Sequence, residues 1–354
     1  MKIAQIVYNF HKVSPSANLA IYSHVAWLTN KLVDHDHKVF LFASGDSDTK
    51  AELISTAPVA LSKLNTPNEM ANRHYHFLIS KCYNQASQFD IIHSHFNLLT
   101  AFYSSLVDTP TVQSFHSPII DDIKPFLLQF STNRYISFSL AQRKTMPGLN
   151  WIGNIYHGVD TNIFSFNPKP KDYFLYLGRI ISKKGVHLAI KAAKTAGVKL
   201  VIAGRSLPDY WHKEIEKNID GKNIKYVGEA SFKEKIELYQ NAKALLFPTQ
   251  YVETFGLVMI EAMACGTPVI AWNKGSVPEI VSNGKTGFVI KSVAEMVKAI
   301  KVIDAISREE TRKRAETYFS IEKMVSGYEK IYERVIQEHL YKKEKKNNKQ
   351  NNHY

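Results

Sequence analysis

At 354 residues, 45% hydrophobic and 22% charged, the chain is long enough for two or three domains with real cores, and its balance excludes a disordered or fibrous protein. Two cysteines far apart, Cys82 and Cys265, exclude a disulfide scaffold, and without CxxC or Cys/His zinc spacing both read as reduced, buried thiols. The net charge of +13 asks for an anionic partner. A phosphorylated small molecule or an anionic membrane surface fits better than nucleic acid, since neither a zinc finger nor an aromatic-interleaved single-strand platform is present.

In chain order, "KIAQIVY", "HKVFLFA", "FDIIHSH", "TPTVQSF" and "RYISFS" predict strands in the first half, with helices near 18–34, 71–88 and 96–107. The amino-terminal run is too short and too polar beyond its apolar stretch for a signal peptide, and no apolar run reaches membrane-spanning length. A soluble or peripheral protein of the cytoplasm is expected. "GVDTNIFSFNPKPKD" has no helical period and reads as a linker near 158–171. The second half repeats the alternation: strands at "DYFLYLG", "VKLVIAG", "NIKYVG", "AKALLFP", "TPVIAW" and "GFVI", helices near 185–197, 208–218, 231–241 and 257–265. A charged amphipathic segment over about 308–340, in one helix or two, precedes a tail at 341–354 with five lysines and one glutamate, predicted disordered. Apolar strands alternating with helices imply parallel sheets covered on both faces, and their number implies two doubly wound α/β domains.

Within "FPTQYVETFGLVMIEAMACG", Glu253 and Glu261 sit in an otherwise apolar stretch, and carboxylates are seldom buried there without partners. A strand leads through a polar turn into a helix near Phe255–Leu257, with Thr254 as its N-cap and Gly256 admitting a ligand to the backbone. Free N–H groups at such a start attract anions. Carboxylates suit sugar hydroxyls, so the pair reads as flanking one ligand from loop and helix; the bland alternative is a cap and a structural ion pair. In "YLGRIISKKGVHLAI", Arg179 and Lys184 lie on the loop after a strand, the side on which parallel sheets bind ligands, and suit a diphosphate; Lys183 reads as a solvated turn residue. His93, His95 and His116 fall at carboxyl ends of first-half strands, and His157 beside the linker; each in isolation is more often structural. His93-x-His95 has no third metal ligand nearby in sequence.

"GRIISKKG", "FPTQYVETFGLVMIEAMACGTPVIA" and "GSVPEIVSNGKTGFVI" resemble the carboxyl-terminal domain of retaining glycosyltransferases of family 4, with Glu253 and Glu261 matching the family's E-x7-E motif. "ISFSLAQR", "NWIGNIYHGVD", "IDGKNIKYVGEA" and "ALLFPTQ" resemble more narrowly the branch of the avilamycin-type transferase and UDP-glucose:tetrahydrobiopterin glucosyltransferase. The resemblance implies a GT-B fold: two Rossmann-like domains facing a central cleft, here 1–160 on the acceptor side and 161–310 for the nucleotide sugar, with a helix over 311–340 crossing back and the tail 341–354 beyond. It implies a hexosyltransferase with a nucleotide-sugar donor, a hydroxyl acceptor, no metal and no other cofactor; the narrower resemblance favours UDP-glucose, with GDP-mannose and UDP-N-acetylglucosamine open. By position, Arg179 and Lys184 would hold the diphosphate, Glu261 the ribose, and Glu253 the hexose. The backbone of Phe255, Gly256 and Leu257 would meet hexose and phosphate, and His116 would face the reacting sugar. The chain departs from the family in its first βα loop, "NFHKVSPSANLAIYSHV", where Gly-Gly is usual and Ser16, Ala17, Leu19 or Ala20 stand instead; this bears on the acceptor pocket and on turnover. Thr254 stands where proline is common. A dinucleotide oxidoreductase would need GxGxxG in that same loop. A non-catalytic sugar-nucleotide-binding protein is the alternative, and the lysine tail offers weak attachment to an anionic membrane.

Overall fold

The computed structural model describes residues 1–351, with side chains through 348, and divides into two units. The first comprises 1–138, 143–156 and the chain from Glu322 onward; the second comprises 139–142 and 157–321.

Seven strands form the first sheet: β1 Lys2–Ile6, β2 Lys38–Phe42, β3 Glu52–Ile54, β4 Ile91–Ser94, β5 Thr111–Ser114, β6 Arg134–Ser137 and β7 Trp151–Asn154, in the order β3-β2-β1-β4-β5-β6-β7. Six form the second: β8 Phe174–Leu177, β9 Leu200–Ala203, β10 Ile224–Tyr226, β11 Leu245–Phe247, β12 Val269–Trp272 and β13 Gly287–Ile290, in the order β10-β9-β8-β11-β12-β13. Every pairing is parallel. Each sheet reverses its winding once, between β1 and β4 and between β8 and β11, and the carboxyl ends of strands at such a switch are where doubly wound folds bind ligands.

The strands are buried because helices cover both faces, which is why they read as apolar runs. The helix Ala20–Asp34 turns Val25, Leu28 and Leu32 inward; Val186–Ala196 packs Ala189, Ile190 and Ala193 against the second sheet. Phe232–Asn241 starts at a capping box, Ser231 accepting from the Glu234 N–H and Glu234 reaching back. Cys82 and Cys265 are buried and unpaired. Among the described residues no helix is long and apolar enough to cross a membrane.

The differences from expectation have local causes. β3 and β7 were not anticipated: both are short and only half buried, so neither shows a strong apolar run. The helix expected at 96–107 is one 3-10 turn, Leu99–Phe102. The helix Val293–Val302 was not anticipated either. The carboxyl-terminal segment is two helices, Arg308–Phe319 and Ile321–Asn351, parted at the extended Ser320, which bridges Val159. The first helix stays with the second unit because Arg308 donates to the carbonyls of Asn167 (2.7 Å), Ala242 (2.9 Å) and Gln240 (2.9 Å). From Glu322 the chain rejoins the first unit and buries Met324, Val325, Tyr328, Tyr332 and Val335 along one stripe. The tail expected to be disordered continues this helix through Asn351, its Lys343 pairing with Asp108 at 2.9 Å; 352–354 lie outside the described residues.

Candidate active site

In the second unit the loops after β8 and β11 flank the switch point. They are tied together: the Gln250 N–H donates to the Lys183 carbonyl (2.9 Å), and the Gln250 amide to the Ser182 carbonyl (3.0 Å). Gly185 makes this approach possible. Its φ is +74°, and a Cβ there would stand 2.2 Å from the Pro248 carbonyl oxygen. The buried Tyr176 hydroxyl donates to the Arg179 carbonyl (3.1 Å), fixing the first loop from beneath.

Lys184 and Glu253 meet at this junction, Nζ to Oε2 at 2.9 Å, and the Tyr251 hydroxyl donates to the same oxygen at 2.8 Å. Oε1 carries neither bond. The Lys184 ammonium also stands over the Tyr251 ring at 4.8 Å, a cation–π contact. Burial, then the Glu253 charge, pushes the Tyr251 phenol far above its ordinary pKa, so it stays a donor. Arg179 is exposed beside this cluster, its charge acting on Tyr251 and Tyr176. Lys183 is exposed, as its reading as a turn residue implied.

The backbone from Glu253 to Phe255 is clamped. The Ser276 N–H donates to the Glu253 carbonyl (3.1 Å), the Ser276 hydroxyl to that of Phe255 (2.6 Å), and the Ser139 hydroxyl to that of Thr254 (2.7 Å). The helix that follows is Leu257–Ala264, and its N-cap is Gly256 at φ +87°, not Thr254. Thr254 is 6% exposed and its hydroxyl has no hydrogen-bond partner, so it cannot cap. Glycine takes the position because a left-handed residue is needed to turn the clamped loop into the helix.

Glu261 lies deeper than its expected role requires. It is 3% exposed, with Oε1 on Lys235 Nζ (2.8 Å) and Oε2 on the Tyr239 hydroxyl (2.9 Å). Lys235 and Tyr239, four apart on the helix Phe232–Asn241, share the face turned to it. These two and Tyr251 are the contacts sequence reasoning missed. A lysine at i and a tyrosine at i+4 beside apolar neighbours was the available signal.

His116, just past β5, belongs to the first unit, whereas Arg179, Lys184, Glu253 and Glu261 belong to the second. His93 lies inside β4 rather than past it, and His95 follows it; both are fully buried. Residues remote in sequence supply what the HxH pair lacked: ring nitrogens of His24, His95 and His116 lie within 4.8 Å of one another. His95 Nδ1 and His116 Nε2 stand 2.9 Å apart and share one proton, so the cluster is a hydrogen-bonded array in this geometry. Burial lowers the His24 pKa to about 3 and, with repulsion from neighbouring imidazoles, holds those of His93 and His116 well below the ordinary value.

Residues 23–163 match the family Glycosyltransferase Family 4, and residues 160–319 match Glycosyl transferases group 1. An uncharacterized glycosyltransferase of Methanocaldococcus jannaschii is 25% identical over 338 residues, spanning 88% of this chain and 93% of that protein. Solved glycosyltransferase structures share the fold, two of them as follows. The avilamycin A biosynthesis glycosyltransferase AviGT4 superposes with a TM-score of 0.71 at 20% identity, covering 95% of this chain and 98% of that one. HepE of Anabaena in complex with UDP-glucose gives 0.71 at 19% identity, covering 95% and 99%.

Proposed function

We propose that this chain, whose residues 23–163 match Glycosyltransferase Family 4 and 160–319 match Glycosyl transferases group 1, is a GT-B glycosyltransferase that moves a hexose from a nucleoside diphosphate sugar to a hydroxyl with retention and without a metal. The observation that carries this is the Lys184–Glu253–Tyr251 junction with Arg179 beside it, at the switch point of the second sheet. Glucose carried on UDP is the favoured donor, in keeping with the narrower resemblance and with the UDP-glucose complex of HepE. Work in the cytoplasm, with a weak electrostatic hold on anionic membranes through the terminal lysines, fits the same reading.

In this mechanism Arg179 and Lys184 neutralise the departing diphosphate, a task that asks for positive charge rather than a proton. Glu253 accepts a hexose hydroxyl at Oε1, while Lys184 and Tyr251 fix its other oxygen. Glu261, oriented by Lys235 and Tyr239, accepts ribose hydroxyls through its remaining lone pairs. The backbone at Phe255, Gly256 and Leu257 faces the hexose and phosphate, and His116 orients the sugar. The C1–O bond to the diphosphate breaks, the acceptor oxygen bonds C1 on the same face, and the acceptor proton passes to the departing phosphate oxygen.

The test is release of nucleoside diphosphate from UDP-glucose, GDP-mannose and UDP-N-acetylglucosamine offered with hydroxyl acceptors. Release with one donor that falls roughly 100-fold in Lys184→Ala supports the assignment. Tight binding with no release across acceptors would favour a sugar-nucleotide-binding protein.

A further inference from the structure

A cleft of about 440 Å³ opens on the first unit, between the starts of β6 and β7 and the last helix. It lies at the amino ends of these strands. Doubly wound sheets bind substrates at the opposite, carboxyl ends, so the cleft is not the substrate crevice of its own sheet. Its volume nonetheless falls within the range of small-molecule sites.

The cleft collects cations. Arg134 is the first residue of β6 and is half-buried. Among the described residues its guanidinium has no hydrogen-bond or ion-pair partner, so all its donors are open to a ligand. Arg334 and Lys342 reach in from the last helix, with Glu338 midway between them, and this i, i+4 spacing puts all three on one helix face. Arg334 donates to the Ile152 carbonyl and lies 3.9 Å from Glu338. Lys342 is exposed and, among the described residues, has no partner either. The Asn150 amide donates to the Thr132 carbonyl at 3.2 Å and so ties together the two segments that enter β6 and β7. Three cations against one carboxylate leave the cleft with a net charge of +2. Like charges held together repel, and an anion between them removes that cost.

Count and geometry define the ligand. A net +2 balances a dianion. Cations arriving from a strand start and from successive turns of a helix suit a group with three terminal oxygens, and a guanidinium fork takes two of them side by side. A carboxylate, with one charge and two oxygens, would leave a cation unmatched. We propose that this cleft is a binding site for a phosphomonoester, separate from the candidate active site, and that the bound phosphate ties the last helix to the edge of the first sheet. The phosphate belongs either to a soluble molecule or to a lipid headgroup, and both present the same dianionic end.

Thermal unfolding of the full chain in inorganic phosphate, in glycerol 3-phosphate and in sodium chloride at matched ionic strength tests the site. Each phosphate should raise the midpoint above chloride and saturate, as for a ligand bound by the folded chain alone. Arg134→Gln or Lys342→Gln should weaken the apparent Kd roughly tenfold, the effect of losing one charge-assisted bond. Neither side chain holds another residue among those described, so both variants should fold as the wild type does. Lys298→Gln removes the same charge from an exposed position on the helix Val293–Val302 and should leave Kd unchanged. Lys184→Ala should also leave the shift in place, which separates the cleft from the candidate active site. Sedimentation with phosphatidylcholine vesicles carrying phosphatidic acid or, at equal surface charge, the diester phosphatidylglycerol identifies the source. A preference for phosphatidic acid that Arg134→Gln abolishes assigns a lipid headgroup. Saturable protection by glycerol 3-phosphate without that preference assigns a soluble ligand. A midpoint unmoved by phosphate with equal binding to both vesicles, or a shift that Lys184→Ala removes and Arg134→Gln leaves intact, overturns the proposal.

Discussion

Two lysine–glutamate pairs lie among the second unit's candidate site residues, and they differ in what they tolerate. Lys184 and Glu253 lie where the loops meet, so Lys184→Ala or Arg179→Ala should leave the fold intact and cut turnover by roughly 100-fold through loss of a preorganised charge. Wild-type rates in either variant would remove the diphosphate assignment. Lys235 and Glu261 are a buried pair, with side chains 10% and 4% exposed. Glu261→Ala leaves the lysine charge uncompensated and should cost about 3–5 kcal/mol in urea unfolding. Adding Lys235→Met should recover most of that loss while nucleotide affinity stays weak. Recovered affinity in calorimetry would remove Glu261 from the ribose.

At the scale of elements, Gly185 decides whether the loop carrying Lys184 can lie against the loop carrying Glu253. Gly185→Ala adds left-handed strain of about 1–3 kcal/mol and a clash with the Pro248 carbonyl, so it should lower both stability and turnover. Gly197 provides the comparison. It too has positive φ, +70°, but nothing lies within 4 Å of a Cβ there. Gly197→Ala should therefore cost only strain, about 1 kcal/mol, and leave kcat alone. Equal effects of the two substitutions on kcat would mean that the loop junction does not position the site. Elements also show what the sequence conveys well. Buried helices and strands such as Val186–Ala196 and β12 announce themselves by period. β3, β7 and the turn at Leu99–Phe102 do not, because half-buried short segments carry little pattern.

Over the whole molecule, the buried imidazoles couple stability to pH. Burial lowers the His24 pKa to about 3, and burial with mutual repulsion holds His93 and His116 well below 6.5. Between those values and 6.5 the unfolded chain binds protons that the native chain excludes, so stability is full above about pH 6.5 and is lost as pH falls. His24 alone contributes a slope of up to about 1.4 kcal/mol per pH unit in that window, and the other two add to it. The urea midpoint should drop between pH 7 and pH 5, and His24→Phe should flatten the slope by about one proton's worth. A midpoint that rises over the interval would contradict neutral burial of these rings.

The sequence alone determined the doubly wound architecture and the loops that carry Arg179, Lys184 and Glu253, because strand period, glycine placement and the E-x7-E spacing are local quantities. It did not reveal that Glu261 is held by Lys235 and Tyr239, nor that His95 gathers His24, His116 and the Gln5–Tyr332 pair. Those partners lie tens to hundreds of residues apart, and only the packing of helix Phe232–Asn241 on helix Leu257–Ala264, the parallel sheet register and the return of the last helix bring them together. Which atoms hold the protons is decided there, since a buried polar group takes its state from the neighbours that satisfy it.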